Sequence, residues 1–308
     1  MSAPAAVAQL AGVALAPLLP GTVQTAKARL QGRTGASPLQ PYRELRRLWG
    51  KSAVDPLGAG LVYRVAPAVV AACMLLALAL VPVAGRSGPW GLGNDALVLV
   101  ALLALARFAL AAAAWDTGSG FALMGAGRDL ALAAFGEALL ALALLVAALQ
   151  AGPTHSTDLV AMAGAAAGLH VWGEPGHWCG AIAFALVVSL ETGRQPIDNP
   201  DTHLELTMIH EGPLLEYSGR DLAFLHWASA ARHWVVLVLS AELFLPHGGS
   251  FVARLGATVA WVAVLCAALA LVETVQAKMR IMRVPRLLAV GAVVALAGVA
   301  TTIAGIGA

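Results

Sequence analysis

The sequence predicts an all-α polytopic membrane protein of about eight transmembrane helices, with a cytoplasmic amphipathic helix and a short helix in a second loop. Three observations predict it. Of 308 residues, 59% are hydrophobic and 12% charged, against about 25% charged in soluble domains. Mean hydropathy is +0.79. The apolar residues also fall in runs close to the roughly 20 residues that a helix needs to cross a hydrocarbon core about 30 Å thick. A single integral membrane domain over 1–308 follows.

The runs place spans at 3–21, 61–83, 95–114, 129–150, 178–195, 222–245, 251–275 and 286–307. A ninth run, 157–172, is Gly/Ala-rich and leads into WGEPGHW; it is too short and interrupted to span and reads as re-entrant or interfacial. No Lys or Arg precedes the first span and Lys27 follows it, which argues against a cleaved signal peptide and for an N-terminus outside. Connections 22–60, 115–128, 194–221 and 276–286 hold 14 of the 19 basic residues, and the opposite side holds only Arg86 and Arg254. Positive charge collects on the cytoplasmic side, so these four connections are assigned there and both termini outside. The net charge of +2 carries no nucleic-acid signal.

Two cytoplasmic connections are long, and long ordered loops in compact proteins usually carry function. In 22–60, PYRELRRLWGK sets Leu45, Leu48 and Trp49 on one helical face with Arg43, Arg46, Arg47 and Lys51 on the others, the pattern of a helix in the membrane interface or of a positive-inside anchor. In 194–221, Thr202 and Glu205 form a capping box and Gly212-Pro213 a stop, predicting a short helix over roughly 203–211. This connection carries Asp198, Asp201, Glu205, Glu211, Glu216 and Asp221 against Arg194 and Arg220.

Charge inside a bilayer calls for a partner or a function. The candidates are Arg107, Glu137, Glu191, Arg232, Glu242 and Glu273. Glu191 and Glu273 sit near span ends, where a partly solvated acid is an equal reading. Glu137 lies eight residues beyond Asp129, about 12 Å along a helix, a depth that is hard to hydrate without a cavity. Glu191, Glu137 and Glu273, with the loop acids beneath, therefore form a candidate proton path, and Arg232 a candidate counter-ion. His203 and His210 stand seven residues apart, about 10 Å along a helix, too far to share one metal. Cys73, Cys179 and Cys266 are scattered, so neither an iron–sulfur centre nor a zinc site is expected in this chain. Nucleotide-binding, nucleophile-elbow and HExxH motifs do not occur.

The stretch ETGRQPIDNPDTHLELTMIHEGPLLEYSGRD, 191–221, resembles the cytoplasmic loop of the complex I subunit 1 family. The segment RLQGRTGASPLQPYRELRRLWGK, 29–51, is similar to that family's basic loop. Quinone-reducing members have Phe-Asp-x-Pro-Glu-Ala-Glu where this chain has Ile197 to His203, and the THLELTMIHE version resembles the hydrogenase branch, the formate hydrogenlyase subunit 4 type. The resemblance implies a membrane anchor and ion-coupling subunit of a group 4 [NiFe] hydrogenase or formate hydrogenlyase-type complex in a bacterial or archaeal plasma membrane. It implies no cofactor in this chain, with the [NiFe] centre and iron–sulfur clusters in partners: a hydrogenase-type large subunit, an iron–sulfur small subunit, a ferredoxin-like subunit and antiporter-like membrane subunits. Glu191, Asp198, Asp201, Glu205, Glu211, Glu216 and Asp221 would form the coupling loop, with Glu137 and Glu273 inside the bundle, and Tyr217 of the Glu-Tyr-Ser-Gly motif would join the residues that contact the peripheral arm. Arg29, Arg33, Arg194, Arg220, His203 and His210 would contact the peripheral arm or balance charge. A quinone-binding subunit of a complex I-type NADH:quinone oxidoreductase and a stand-alone transporter are the alternatives.

Overall fold

The computed structural model describes residues 3–88, 93–152, 157–198 and 208–306. Among the described residues the helices are α1 (Ala3–Leu15), α2 (Leu18–Leu30), α3 (Gln40–Trp49), α4 (Leu61–Leu80), α5 (Ala96–Thr117), α6 (Gly120–Ala151), α7 (Leu159–Ala166), α8 (Pro175–Glu191), α9 (Gly219–Phe244), α10 (Phe251–Val275) and α11 (Val284–Ile306). Hydrocarbon offers no hydrogen-bond partner, so a spanning segment must satisfy its backbone internally, which an α-helix does. Six helices are long and apolar enough to cross a membrane, and α1 with α2 makes up to a seventh; α8, apolar and 17 residues long, is shorter. The chain is a multi-pass membrane protein, and each of the eight predicted spans overlaps a helix or helix pair, of which six or seven have spanning length among the described residues.

The departures have local causes. The first span is bent by 53° between α1 and α2, where Pro17 precedes α2 and Pro20 occupies its first turn; proline removes a helical donor. The predicted connection 115–128 contracts to Gly118-Ser119, because Gly118 takes the left-handed conformation that ends α5 and α6 starts at once. Its 32 residues reach about 48 Å, longer than the core, so one end projects. The ninth apolar run forms only α7, eight residues, and a 3₁₀ turn, Leu169–Gly173.

The core runs through the bundle centre, where Met74, Leu99, Leu103, Leu139, Leu140 and Phe184 are fully buried. α4 packs on α5 and α9, α11 packs on α6 and α8, and α3 lies across α9 and α2. α3 buries Leu48, and Trp49 meets Phe224 edge-on at 5.0 Å.

Of the predicted loop helix 203–211, the capping box and residues 199–207 lie outside the described residues; 208–211 bend rather than coil, and a 3₁₀ turn follows at Gly212–Leu214. The bend seats Gly212 directly on Gly125 of α6, backbone against backbone: a Cβ on Gly125 would stand 2.7 Å from the Gly212 Cα. Gly125→Leu is expected to lift this seat at about 1–3 kcal/mol of overpacking. Limited proteolysis of the solubilised chain should then cut the 192–218 connection faster than in wild type.

Candidate functional site

Beneath the acidic loop, charged side chains from six parts of the chain converge on a cavity of about 200 Å³, roomy and polar enough for several waters. Arg107, in mid α5 and 2% exposed, is the hub. Its three nitrogens face three carboxylates: Nη2 to Glu191 at 2.9 Å, Nη1 to Glu137 at 3.3 Å and Nε to Asp129 at 3.5 Å. The other oxygen of Glu191 meets Arg232 of α9 at 3.4 Å. Arg232 is thus the counter-ion of Glu191, and Glu137 takes Arg107.

From Asp129 the chain of charges continues into the loops. His210 Nε2 stands 3.6 Å from Asp129, and Nδ1 stands 3.2 Å from Asp198. Asp198 in turn accepts from Lys278 at 2.8 Å. A neutral imidazole has one N–H and one bare nitrogen, so only the protonated ring donates to both carboxylates. Burial raises the Asp198 carboxyl, but hydrogen bonds and charge from His210 and Lys278 outweigh it and hold the group well below the usual carboxylate range. Asp198 therefore stays ionised at neutral pH.

A second cluster adjoins the first. Glu273, near the end of α10 and 4% exposed, binds Arg194 at 2.8 Å and Lys27 of α2 at 3.3 Å. Arg194 Nε also faces His233 Nε2 at 3.3 Å, while His233 Nδ1 reaches the Ser229 carbonyl at 3.2 Å. A guanidinium only donates, so His233 accepts through Nε2 and carries its proton on Nδ1. Arg107, Asp129, Glu191, Arg194, Asp198 and His210 all line the cavity, joining the clusters through it.

Around Arg107 the formal charges are Asp129, Glu137 and Glu191 against Arg107 and Arg232, one negative in excess. A single proton, on His210 or on a carboxyl, neutralises the group. Glu137 has a side chain 30% exposed, whereas that of Glu191 is 1% exposed.

The remaining predicted site residues divide between the cavity and the surface. Glu211 lines the cavity. Asp201, His203 and Glu205 lie outside the described residues. Arg29, Arg33 and Arg220 are exposed, and Arg33 reaches only the neighbouring Gln31 side chain in its printed hydrogen bond. Asp221 is half-buried in the first turn of α9, where a carboxylate suits the helix dipole.

Glu216-Tyr217-Ser218-Gly219 is a clasp rather than part of the ionic chain. The Glu216 carbonyl accepts from the Tyr63 hydroxyl at 2.8 Å, and the Tyr217 hydroxyl donates to the Tyr63 carbonyl at 3.0 Å. Their rings stack at 4.4 Å. Burial first, then Tyr63 and Asp221, push the Tyr217 phenol above its ordinary value, so it remains a neutral donor. Ser218 bonds both backbone groups of Val54, and Gly219, at φ 55°, leaves room for Ala53. The clasp thus fixes the two long loops to each other.

Residues missed in the sequence are Asp129, Lys27, Lys278 and His233. Arg107 was the available signal: a guanidinium in mid-span demands acids from other helices. Among the described residues no group of three or more His, Cys, Asp or Glu is placed to hold a metal ion.

The sequence model of the family described as NADH dehydrogenase matches residues 4–303. Hydrogenase-4 component C of Escherichia coli (strain K12) is 36% identical over 238 residues, covering 76% of this chain and 72% of the relative. Formate hydrogenlyase subunit 4 of the same organism is 32% identical over 290 residues, covering 89% and 90%. Among solved structures, a chain of the membrane-bound sulfane sulfur reductase, an archaeal respiratory membrane complex, superposes with a TM-score of 0.84 at 20% identity, covering 97% of this chain and 98% of that one.

Arg107→Gln leaves two buried carboxylates, Asp129 and Glu191, and the half-buried Glu137 short of a cation, and the expected cost is about 3–5 kcal/mol. Arg107→Lys is expected to recover little, since one ammonium cannot meet three carboxylates in a fixed fan. Thermal unfolding in mild detergent reads both. For Asp198 the depressed carboxyl contributes stability that is fully present above about pH 3.9 and is lost as the pH falls further. The gap in unfolding midpoint between wild type and Asp198→Asn should therefore close as the pH falls below about 4.

Proposed function

Because this chain belongs to the NADH dehydrogenase family, we propose that it is the membrane subunit of a group 4 hydrogenase-type complex, anchoring the cytoplasmic redox subunits and coupling their electron transfer to proton movement. The observation that carries this reading is the continuous run of ionic contacts from Lys278 and Asp198 in the loops, through His210 and Asp129, to Arg107, Glu137 and Glu191 inside the bundle. It is supported by the names of the two relatives, a hydrogenase-4 component and a formate hydrogenlyase subunit.

In this reading the long loops, 31–60 and 192–218, form the seat for the peripheral arm. The partners are a hydrogenase-type large subunit, an iron–sulfur small subunit and a ferredoxin-like subunit, and these hold the [NiFe] centre and iron–sulfur clusters. The connections seated by Gly125 and by the clasp are cytoplasmic, both termini are outside, and the membrane is the plasma membrane. Redox change above the loop alters the field at His210; taking a proton there lets the ring donate to Asp198 and Asp129 together. Asp129 then pulls less on Arg107, and Glu137 and Glu191 gain the freed cation. Arginine keeps its charge throughout, so protons move through the cavity water and the carboxyls while Arg107 redistributes the field. Glu137, 30% exposed in a bilayer-depth helix, would be costly against lipid. An antiporter-like membrane subunit covering it receives the effect.

The test is a mild-detergent purification of the intact complex, with metal analysis, followed by reconstitution into sealed vesicles. Nickel, iron and ferredoxin-like subunits should co-purify, and electron transfer should drive proton movement. Glu137→Gln and His210→Asn should each reduce protons moved per electron by more than about tenfold, the scale of losing about 1.4 kcal/mol of coupling, while redox turnover continues. A metal-free single chain that transports a solute would overturn the reading. Inhibition by quinone-site ligands would move it to the quinone-reducing branch.

A further inference from the structure

The bend in the first span creates a second cavity that the ionic chain does not use. α2 packs along α10, while α1 turns away by 53° and touches α4 and α9 instead. A cleft of about 770 Å³ remains between α1 and α10, with Trp234 and Val238 of α9 at its back. Its α10 wall runs from Phe251 to Ala267, about 24 Å at the helical rise, which is most of a hydrocarbon core of about 30 Å. Val7 and Val259 on its rim are largely exposed, so it opens sideways to the surroundings of the bundle.

Apolar side chains line nearly all of it, and the chemistry changes only at the end farthest from Glu273. There Arg254, in the first turn of α10, reaches back to Gly85, and the Arg86 guanidinium stands 4.9 Å over the Phe251 ring. Val83 and Phe251, which these arginines flank, are cleft residues. The nearby buried acid is already engaged: Glu242 accepts from the N–H groups of Ala84 and Gly85 at 2.9 and 2.8 Å and from Thr258 at 2.6 Å. Among the described residues neither arginine has an ion pair with a carboxylate, in contrast to Arg107, Arg194 and Arg232. Two cations stand unbalanced at the mouth of an apolar slot that nearly spans a bilayer.

We propose that this cleft seats one anionic phospholipid, with its phosphate between Arg86 and Arg254 and an acyl chain between α1 and α10. A phosphate accepts from both guanidinium groups, the charge-assisted contact arginine is best shaped to make. The chain fills a slot whose lining offers water nothing. The lipid supports α1 on the side that turns away from α10, so the bent first span keeps its angle. This proposal does not depend on the hydrogenase reading, since it uses neither the loops nor the ionic chain.

Native mass spectrometry of the full chain, extracted with its partners in mild detergent and offered phosphatidylglycerol or phosphatidylcholine of equal chain length, tests it. Wild type should retain one phosphatidylglycerol in preference. Arg86→Gln and Arg254→Gln should each weaken that retention about fivefold, the scale of one basic residue at an anionic lipid surface, and leave phosphatidylcholine unchanged. Arg254→Lys should restore most of it. Ala263→Trp, which fills the slot, should expel either lipid. Equal retention of the two lipids, or loss with Ala263→Trp but none with the arginine variants, would overturn the proposal. So would a photoreactive group at Val259 that crosslinks to a partner polypeptide instead of to lipid.

Discussion

A charge inside a bilayer must find an opposite charge, and the arrangement of this bundle follows from meeting that demand for Arg107. One guanidinium in mid α5 draws Asp129 and Glu137 from α6 and Glu191 from the end of α8. Glu191 draws Arg232 from α9 in turn. Each pairing fixes the rotation of a helix about its own axis, which apolar packing alone leaves loosely defined between lipid-like surfaces. Arg107, Asp129, Glu191 and Arg232 line the cavity where a methyl-rich core would close.

The loops are tied into the same arrangement by three independent contacts. Gly212 rests on Gly125, the 216–219 clasp joins α4 and residue 54 to the start of α9, and Lys278 and His210 grip Asp198 from two sides. A partner binding over the loops therefore presses on elements with direct contact to the buried charges. The opposite end of α9 shows the contrast: Glu242 is equally buried, yet it is held by two backbone N–H groups and Thr258, so it serves the turn at 83–86 and stands apart from the cavity.

Hydropathy made the spans legible, because a 20-residue apolar run has few other uses, and depth alone singled out Glu137, Glu191, Glu273 and Arg232. Pairing was not legible. Which acid meets Arg107 depends on helix rotation and on contacts 22 to 84 residues apart in the chain, and no local pattern encodes either. Asp129 was hidden because Arg128-Asp129 looks like a loop between spans, whereas two residues, Gly118 and Ser119, suffice for that turn. Lys27 and Lys278 were read as topology signals, which their buried ion pairs with Glu273 and Asp198 extend. The Glu-Tyr-Ser-Gly motif stood out by resemblance, and its role as a clasp needed the stacked Tyr63 ring from a helix over 150 residues away.

In the proposed function, redox state above the loop sets protonation within this group of charges. Infrared difference spectroscopy of the intact complex, reduced minus oxidised, tests it most directly. The account predicts carboxyl and imidazole bands that change with redox state, the carboxyl band altered by Glu137→Gln and the imidazole band removed by His210→Asn. A difference spectrum in which neither substitution changes any band would contradict it, and would leave the ionic chain as a purely structural frame.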